Sequence, residues 1–298
     1  MITKKEILNA VKEQDIRFID LWFTDILGSV KSVTLPASRV EYAIDVGTHI
    51  DGSSLDGQAR VAESDMILKP DLTTFAVLPW SPPQSRTARM ICSVMTPQGD
   101  PFIGDPRYAL QIMLNEASKL GYIFKTGIEM EFFLFKTDDN HRPMMTSRQD
   151  FAGYFDISQD DAQHVRRQML TTLDQIGICA QSTHSEIGDG QHEIDFQYDD
   201  ALTVADKILT ARVALKAVAQ HAGLHCTFMP RPVADLPGSG MHTHQSLHDK
   251  ETDENIFVDT NHEYGLSEIA RYFLAGQLCH ARAMTAILAP LVNSYKRL

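Results

Sequence analysis

Residues 127–135, G-I-E-M-E-F-F-L-F, constrain this chain more than any other stretch. Successive side chains of an extended strand point to opposite faces, so Glu129, Glu131, Phe133 and Phe135 share one side and Ile128, Met130, Phe132 and Leu134 the other. The second side is wholly apolar and is expected to face a core. Two carboxylates on such a strand either point at water or need a cationic partner, because an uncompensated buried carboxylate is costly. A pair of divalent ions suits the second case, since Mg²⁺ and Mn²⁺ prefer carboxylate oxygens.

Two further clusters repeat the theme. In S-E-I-G-D-G-Q-H-E-I-D-F, Glu186 ends one strand, a glycine-containing turn reverses the chain, and Glu193 begins the next. A hairpin there sets the two glutamates side by side, either on one ion or as surface groups flanking an ordinary turn. In L-P-G-S-G-M-H-T-H-Q-S-L, His242 and His244 fall on one face of a strand, an arrangement that suits a metal ligand beside a phosphate contact. Gly238 and Gly240 let the backbone approach a neighbour closely. A fourth segment, D-G-S-S-L-D-G, puts Asp51 and Asp56 in a turn-rich loop and by itself says only turn. His49, His164, His184, His192, His221 and His225 fit no such pattern, and no phosphate-binding loop, dinucleotide fingerprint or Ser-His-Asp set is present.

The texture changes along the chain. Residues 15–95 carry short strand-like runs, I-R-F-I-D-L-W-F, S-V-K-S-V-T-L and A-R-M-I-C-S-V-M, separated by turns. The Pro/Gly-rich piece T-P-Q-G-D-P-F-I-G-D-P then marks a domain boundary, giving a small mostly-β domain over 1–103 and a mixed α+β domain over 104–298. Beyond the boundary, Asp105 followed by Pro106 predicts a helix start. Helical periodicity predicts further helices over 158–176, 201–222 and 263–289, with strands between them. Thr3 and Glu6 form a capping box that opens an N-terminal amphipathic helix, which is not a signal peptide.

Composition removes some functional classes. A formal net charge of −12 disfavours a nucleic-acid or anionic-membrane binder, although bound cations would still allow an anionic substrate. No apolar run approaches a membrane span. Cys92, Cys179, Cys226 and Cys279 are far apart, and most sit in apolar stretches, so buried free thiols and a reducing cytoplasmic setting are expected.

Taken in order, I-D-G-S-S-L-D-G-Q-A-R-V-A-E-S-D-M-I-L-K-P-D, G-I-E-M-E-F-F-L-F, E-I-G-D-G-Q-H-E-I-D-F, G-S-G-M-H-T-H-Q-S-L and N-S-Y-K-R-L resemble glutamine synthetase of the bacterial and archaeal type I family, over essentially the whole chain. The resemblance implies a β-grasp-like N-terminal domain followed by a glutamine synthetase catalytic α+β domain. It also implies a homo-oligomer of two stacked hexameric rings, with each active site between neighbouring subunits. The implied reaction is ATP-dependent: the γ-carboxylate of glutamate takes the terminal phosphate of ATP, and ammonia displaces phosphate from γ-glutamyl phosphate to give glutamine.

Carried over residue by residue, Glu131, Glu186 and Glu193 resemble the ligands of one Mg²⁺ or Mn²⁺ ion, and Glu129 and His242 two ligands of a second. His244 and Ser246 match nucleotide contacts, and Tyr198 a position near the adenosine. Gly238 and Arg297 match glutamate contacts, with Glu131 and His242 also bordering that substrate. Asp51, donated across a ring interface, matches the group that takes a proton from ammonium.

Three departures accompany the match. Family members continue past N-S-Y-K-R-L with a flap glutamate, arginines and a sixth metal ligand, which implies a C-terminally truncated member. Loss of one such electrostatic group costs ~10²–10³ in rate, so several missing groups would nearly abolish turnover. Pro237 stands where the family has asparagine, and Gln181 aligns with a usual glutamate on the nucleotide side. Pro237 admits an alternative, a γ-glutamyl ligase acting on another amine such as a polyamine. The truncation admits another, a non-catalytic metal-binding or assembly-forming protein.

Overall fold

Strand β7, Tyr122–Thr137, is the spine of the larger of two compact units, Met1–Asn115 and Glu116–Leu298. The structure, a computed structural model, describes residues 2–54, 65–148, 153–157 and 161–298, so Asp56 lies outside the described residues.

The first unit runs α1 (Lys4–Glu13), β1 (Phe18–Thr24), β2 (Val30–Pro36), α2 (Val40–Asp45), β3 (Thr48–Asp51), β4 (Asp65–Pro70), β5 (Ala76–Val77) and β6 (Thr87–Met95). The Thr3–Glu6 capping box is present at the start of α1. Its sheet has the order β2-β1-β6-β4-β3, with β5 also on β6; β1 and β6 are parallel and the other pairs antiparallel. Ile7 of α1 and Ile19, Leu21, Leu68, Met90 and Val94 of the sheet are fully buried together. Asp105 ends the unit's last loop by accepting from Val94 N–H at 3.0 Å and Arg107 N–H at 2.9 Å, while the Arg107 guanidinium reaches Asp71 at 2.6 Å. Helix α3, Pro106–Lys119, starts directly after Asp105, where proline's missing N–H costs nothing.

In the second unit β7 is followed by β8 (Pro143–Arg148), α4 (Asp161–Gln175), β9 (Ala180–Ser185), β10 (Gln191–Asp200), α5 (Ala201–His221), β11 (Leu224–Thr227), β12 (Met241–Asp249) and α6 (Glu268–Leu288). One edge of β7 pairs with β10 and then β8, the other with β12 and then β11, all antiparallel. β9 pairs with the outer edge of β10. The expected apolar face is buried: Ile128 is 6 % exposed, Met130 2 %, Phe132 and Leu134 0 %. Helix α5 packs on β7, β10 and β11, and α4 packs on α5 and β9.

Several boundaries differ from the periodicity. The last helix begins at Glu268 rather than 263, because Ser267 caps it by accepting from Ala270 N–H, and residues 263–265 form a separate 3₁₀ turn with Tyr264 at φ 61°. Helix α4 is described from Asp161; residues 158–160 lie outside the described residues. Cys92 and Cys226 are buried, but Cys179 and Cys279 are exposed, so the expectation of mostly buried thiols holds for half of them. Among the described residues no helix is long and apolar enough to cross a membrane.

Phe132, fully buried and in ring contact with Phe228 at 5.9 Å, anchors the sheet to its core. Phe132→Ala is expected to cost about 3–5 kcal/mol. Chemical denaturation followed by far-UV circular dichroism checks this, and an unchanged midpoint contradicts the packing described.

Candidate active site

The registers of four strands build the site. Across β9, β10 and β7, one row reads His184–Glu193–Glu131 and the next Ser182–Asp195–Glu129. Strand β12 continues the second row with His242 opposite Glu129 and places His244 opposite Gly127. Beyond the end of β12, Gly240 extends the first row by accepting from Glu131 N–H at 3.2 Å and donating to Glu131 Oε2 at 2.8 Å. Side chains of one pleat phase therefore meet on one face, opposite the apolar one.

Glu129 is the centre of a histidine pair. His242 Nδ1 lies 3.0 Å from Glu129 Oε2 and His244 Nε2 2.6 Å from Oε1. Contact first with His244 and then with His242 holds the Glu129 carboxyl below the usual range.

Glu131 and Glu193 are direct cross-strand neighbours, and the β9–β10 hairpin brings in Glu186, which with Glu193 lies 3.9 Å from the His184 ring nitrogens. The register sets Glu193 opposite His184 and ties Glu186 N–H to the Gln191 carbonyl, so the two glutamates flank His184, one near each ring nitrogen. His184, Glu193 and Asp195 offer ligand atoms all within 4.8 Å of one another. Asp195 also accepts a hydrogen bond from the Ser182 hydroxyl. The rings of Phe155 and Tyr154 stand edge-on to His184 at 4.8 and 5.4 Å.

This crowding leaves its mark on Glu193, which is only 6 % exposed. Its carboxyl is pushed up to about 8, first by burial, then by sharing its proton with Asp195 and by the charges of Glu131, Glu186 and Asp195. Without a cation, the fold can hold these carboxylates together only by keeping a proton. That excess of uncompensated oxygen donors fits a hard divalent ion, and the imidazoles add nitrogen donors that Mn²⁺ accepts.

Next to the carboxylates, a cleft of about 390 Å³ is lined by Tyr198, His244, Ser246, Lys125 and Asn255, among others. The three residues matched to nucleotide contacts therefore share one cavity. Tyr198 reaches it at a register shift of β10 between Phe196 and Asp199, where an irregular strand re-aims a side chain.

On the far side of Glu131, a Cβ on Gly238 would lie 2.4 Å from the Pro230 carbonyl oxygen and 2.9 Å from Arg297 Cγ, so only glycine fits against the arginine stem. A Cβ on Gly240 would come within 2.8 Å of Glu131 Oε1. The close approach these glycines permit is to the chain's own groups. The segment carrying Arg297 is tied to this loop by Asn293, which accepts from Arg231 N–H at 2.8 Å and donates to the Arg231 carbonyl at 3.0 Å.

Asp51 lies in the first unit, at the end of β3, and is exposed. The Ser53 hydroxyl and N–H at 2.6 and 2.9 Å, with Ser54 Oγ at 3.2 Å, lower its carboxyl below the usual range. The other matched residues all lie in the second unit.

His184, Asp195 and Gln191 were not singled out in the sequence, yet all three belong to this face. The signal was there for Asp195, because E-I-D repeats the two-residue alternation of E-M-E. His184 sits two residues before Glu186 on the same strand phase, and Gln191 two before Glu193.

A two-unit α+β protein with a carboxylate–histidine sheet face beside a nucleotide-sized cleft is the class defined by this geometry. The comparisons specify it further. Residues 15–97 match the family described as "Glutamine synthetase, beta-Grasp domain", and residues 103–298 match "Glutamine synthetase, catalytic domain". Glutamine synthetase of Clostridium saccharobutylicum is 47% identical over 297 residues, covering 99% of this chain and 66% of that protein. Glutamine synthetase of Thermus thermophilus is 48% identical over 301 residues, covering 99% of this chain and 67% of that protein. A solved structure described as "GmaS/ADP complex-Conformation 1" superposes with a TM-score of 0.87 at 32% identity, covering 98% of this chain and 66% of that one. The chain belongs to the glutamine synthetase family. It spans about two thirds of the length of the curated relatives it matches.

The raised Glu193 carboxyl gives a signed pH dependence. Unfolded, Glu193 ionises near 4.5; folded and without metal, it keeps its proton up to about 8. The native state binds the extra proton between those values, so metal-free stability from this group falls as pH rises from about 4.5 to about 8 and then levels off. Glu193→Gln is expected to flatten that fall and raise the metal-free melting temperature near pH 8. Thermal scans in chelator from about pH 5 to about pH 9 check it; parallel profiles for the two proteins contradict the assignment.

Proposed function

We propose that this chain carries the cation, nucleotide and amino-acid subsites of a glutamate–ammonia ligase, which joins ammonia to the γ-carboxylate of glutamate at the expense of ATP. The observation carrying this reading is the two-row carboxylate face that opens into the Tyr198–His244–Ser246 cleft. Glu131, Glu186 and Glu193 would hold one Mg²⁺ or Mn²⁺ ion, and Glu129 and His242 a second. Bound there, the ions would neutralise charge on the phosphoryl group in transfer.

ATP lies in the Tyr198–His244–Ser246 cleft in this reading, its phosphates towards Glu129 and its adenosine near Tyr198. That the solved neighbour is described as an ADP complex supports the same assignment. Glutamate sits where Gly238, Arg297, Glu131 and His242 converge, and its γ-carboxylate oxygen attacks the terminal phosphorus as ADP leaves. Ammonia then attacks the acyl carbon and phosphate departs. Asp51 of a neighbouring subunit takes the proton from ammonium, and the hydrogen bonds from Ser53 and Ser54 hold it ionised for that role. Ring assembly agrees with the apolar side chains left exposed on α6, Leu278 at 70 %, Ile287 at 79 % and Leu288 at 74 %.

The two alternatives are not favoured. Pro237, the residue behind the amine reading, is exposed, and the curated relatives named above are glutamine synthetases.

Mn²⁺ is expected to raise the melting temperature of the chain and Glu193→Gln to weaken that response. His244→Ala is expected to weaken ADP binding in calorimetry at least tenfold, an ordinary cost for a charge-assisted contact. Phosphate release from ATP with Mg²⁺ and glutamate should depend on ammonium and be matched by glutamine. Ammonium-independent release, or an amide formed from an added polyamine instead, contradicts the ligase reading. A folded chain that binds Mn²⁺ and ADP without releasing phosphate supports the non-catalytic alternative.

A further inference from the structure

Gln191 is 1 % exposed, and every polar atom of its carboxamide is engaged with a different segment. Nε2 donates to Glu131 Oε2 on β7 at 2.8 Å and to the Gly238 carbonyl of the β11–β12 loop at 3.2 Å. Oε1 accepts from Gly188 N–H in the β9–β10 turn at 3.1 Å. Its backbone closes the same turn, N–H donating to Gly188 O at 2.8 Å and C=O accepting from Glu186 N–H at 2.9 Å. One side chain thus joins the strand carrying Glu131, the loop carrying Gly238 and the turn leading from Glu186 to Glu193.

We infer that Gln191 is a positioning residue for both the cation and the amino-acid subsites: it fixes the rotamer of Glu131 and the Gly238 loop together while leaving the negative charge of Glu131 intact. This inference rests on the reading that Glu131 holds a cation.

The chemistry of the alternatives explains why an amide is needed at this position. The Gly240 N–H also donates to Glu131 Oε2, so both donors converge on one oxygen, and Oε1 has no protein donor among the described residues. Two donors on Oε2 stop the carboxylate from rotating and reserve Oε1 for a ligand. Lysine would supply a donor but would also cancel the charge that attracts a cation. Glutamate would set two acceptors against an acceptor carboxylate and leave the Gly238 carbonyl without its donor. Methionine would leave the Gly188 N–H and the Gly238 carbonyl unsatisfied. Only a neutral group that both donates and accepts meets all three contacts.

The test is Mn²⁺ titration by calorimetry of the whole chain and of Gln191→Met and Gln191→Lys, with circular dichroism confirming the fold. Gln191→Met is expected to weaken Mn²⁺ binding about 10–100-fold, as loss of a group orienting a metal ligand does. Gln191→Lys is expected to keep the contact with Glu131 and to show no Mn²⁺-induced shift in melting temperature. A merely structural glutamine would leave Mn²⁺ affinity unchanged in either folded variant, and that result overturns the inference. Failure of both variants to fold also overturns it, since the residue would then serve the fold and not the subsites. If the parent chain itself binds no Mn²⁺, the cation reading falls, and the inference falls with it.

Discussion

Everything at the site depends on the pairing of β7 with β10 on one edge and β12 on the other. Antiparallel register sets Glu131 against Glu193, Asp195 against Glu129 and Glu129 against His242. Like charges directly opposite one another destabilise a sheet, so this register opposes folding locally. It persists because the other face of β7 is apolar from Ile128 to Leu134 and buried, with α5 packed on the strand, and a one-residue slip would move those side chains to the opposite face. Core packing fixes the register, and the register gathers the carboxylates.

The unfavourable clustering is what makes the site chemically capable. A fold that holds Glu193 protonated up to about 8 stores affinity for any divalent cation able to take the proton's place. The hairpin turn, the two glycines and Gln191 stop the strained face from relaxing by rotation of its carboxylates. The same strand phase that exposes Glu129 and Glu131 buries Phe133 and Phe135 further along, where their rings stack at 5.9 Å. A single strand therefore passes from a wet, charged surface to a closed core within a few residues.

Much of this was legible in the residues. Alternation in 127–135 gave the two faces, the glycine-containing turn gave the hairpin of Glu186 and Glu193, and H-x-H gave one phase for His242 and His244. The rows themselves were not legible, because periodicity assigns a side chain to a face without saying which residue of another strand lies opposite. His184 and Gln191 escaped for that reason. Tyr198 was reached only through family resemblance, since an irregular register, not alternation, turns it towards the cleft. The start of α6 was missed because the apolar periodicity runs on through a 3₁₀ turn that Ser267 separates from the helix.

Anomalous diffraction from crystals of this chain grown with Mn²⁺ tests the central claim most directly. The account predicts one manganese peak among Glu131, Glu186 and Glu193 and a second beside Glu129 and His242. Crystals with those side chains ordered and no anomalous density on this face would contradict it, leaving the carboxylate rows as a feature of the sheet without a cation to hold.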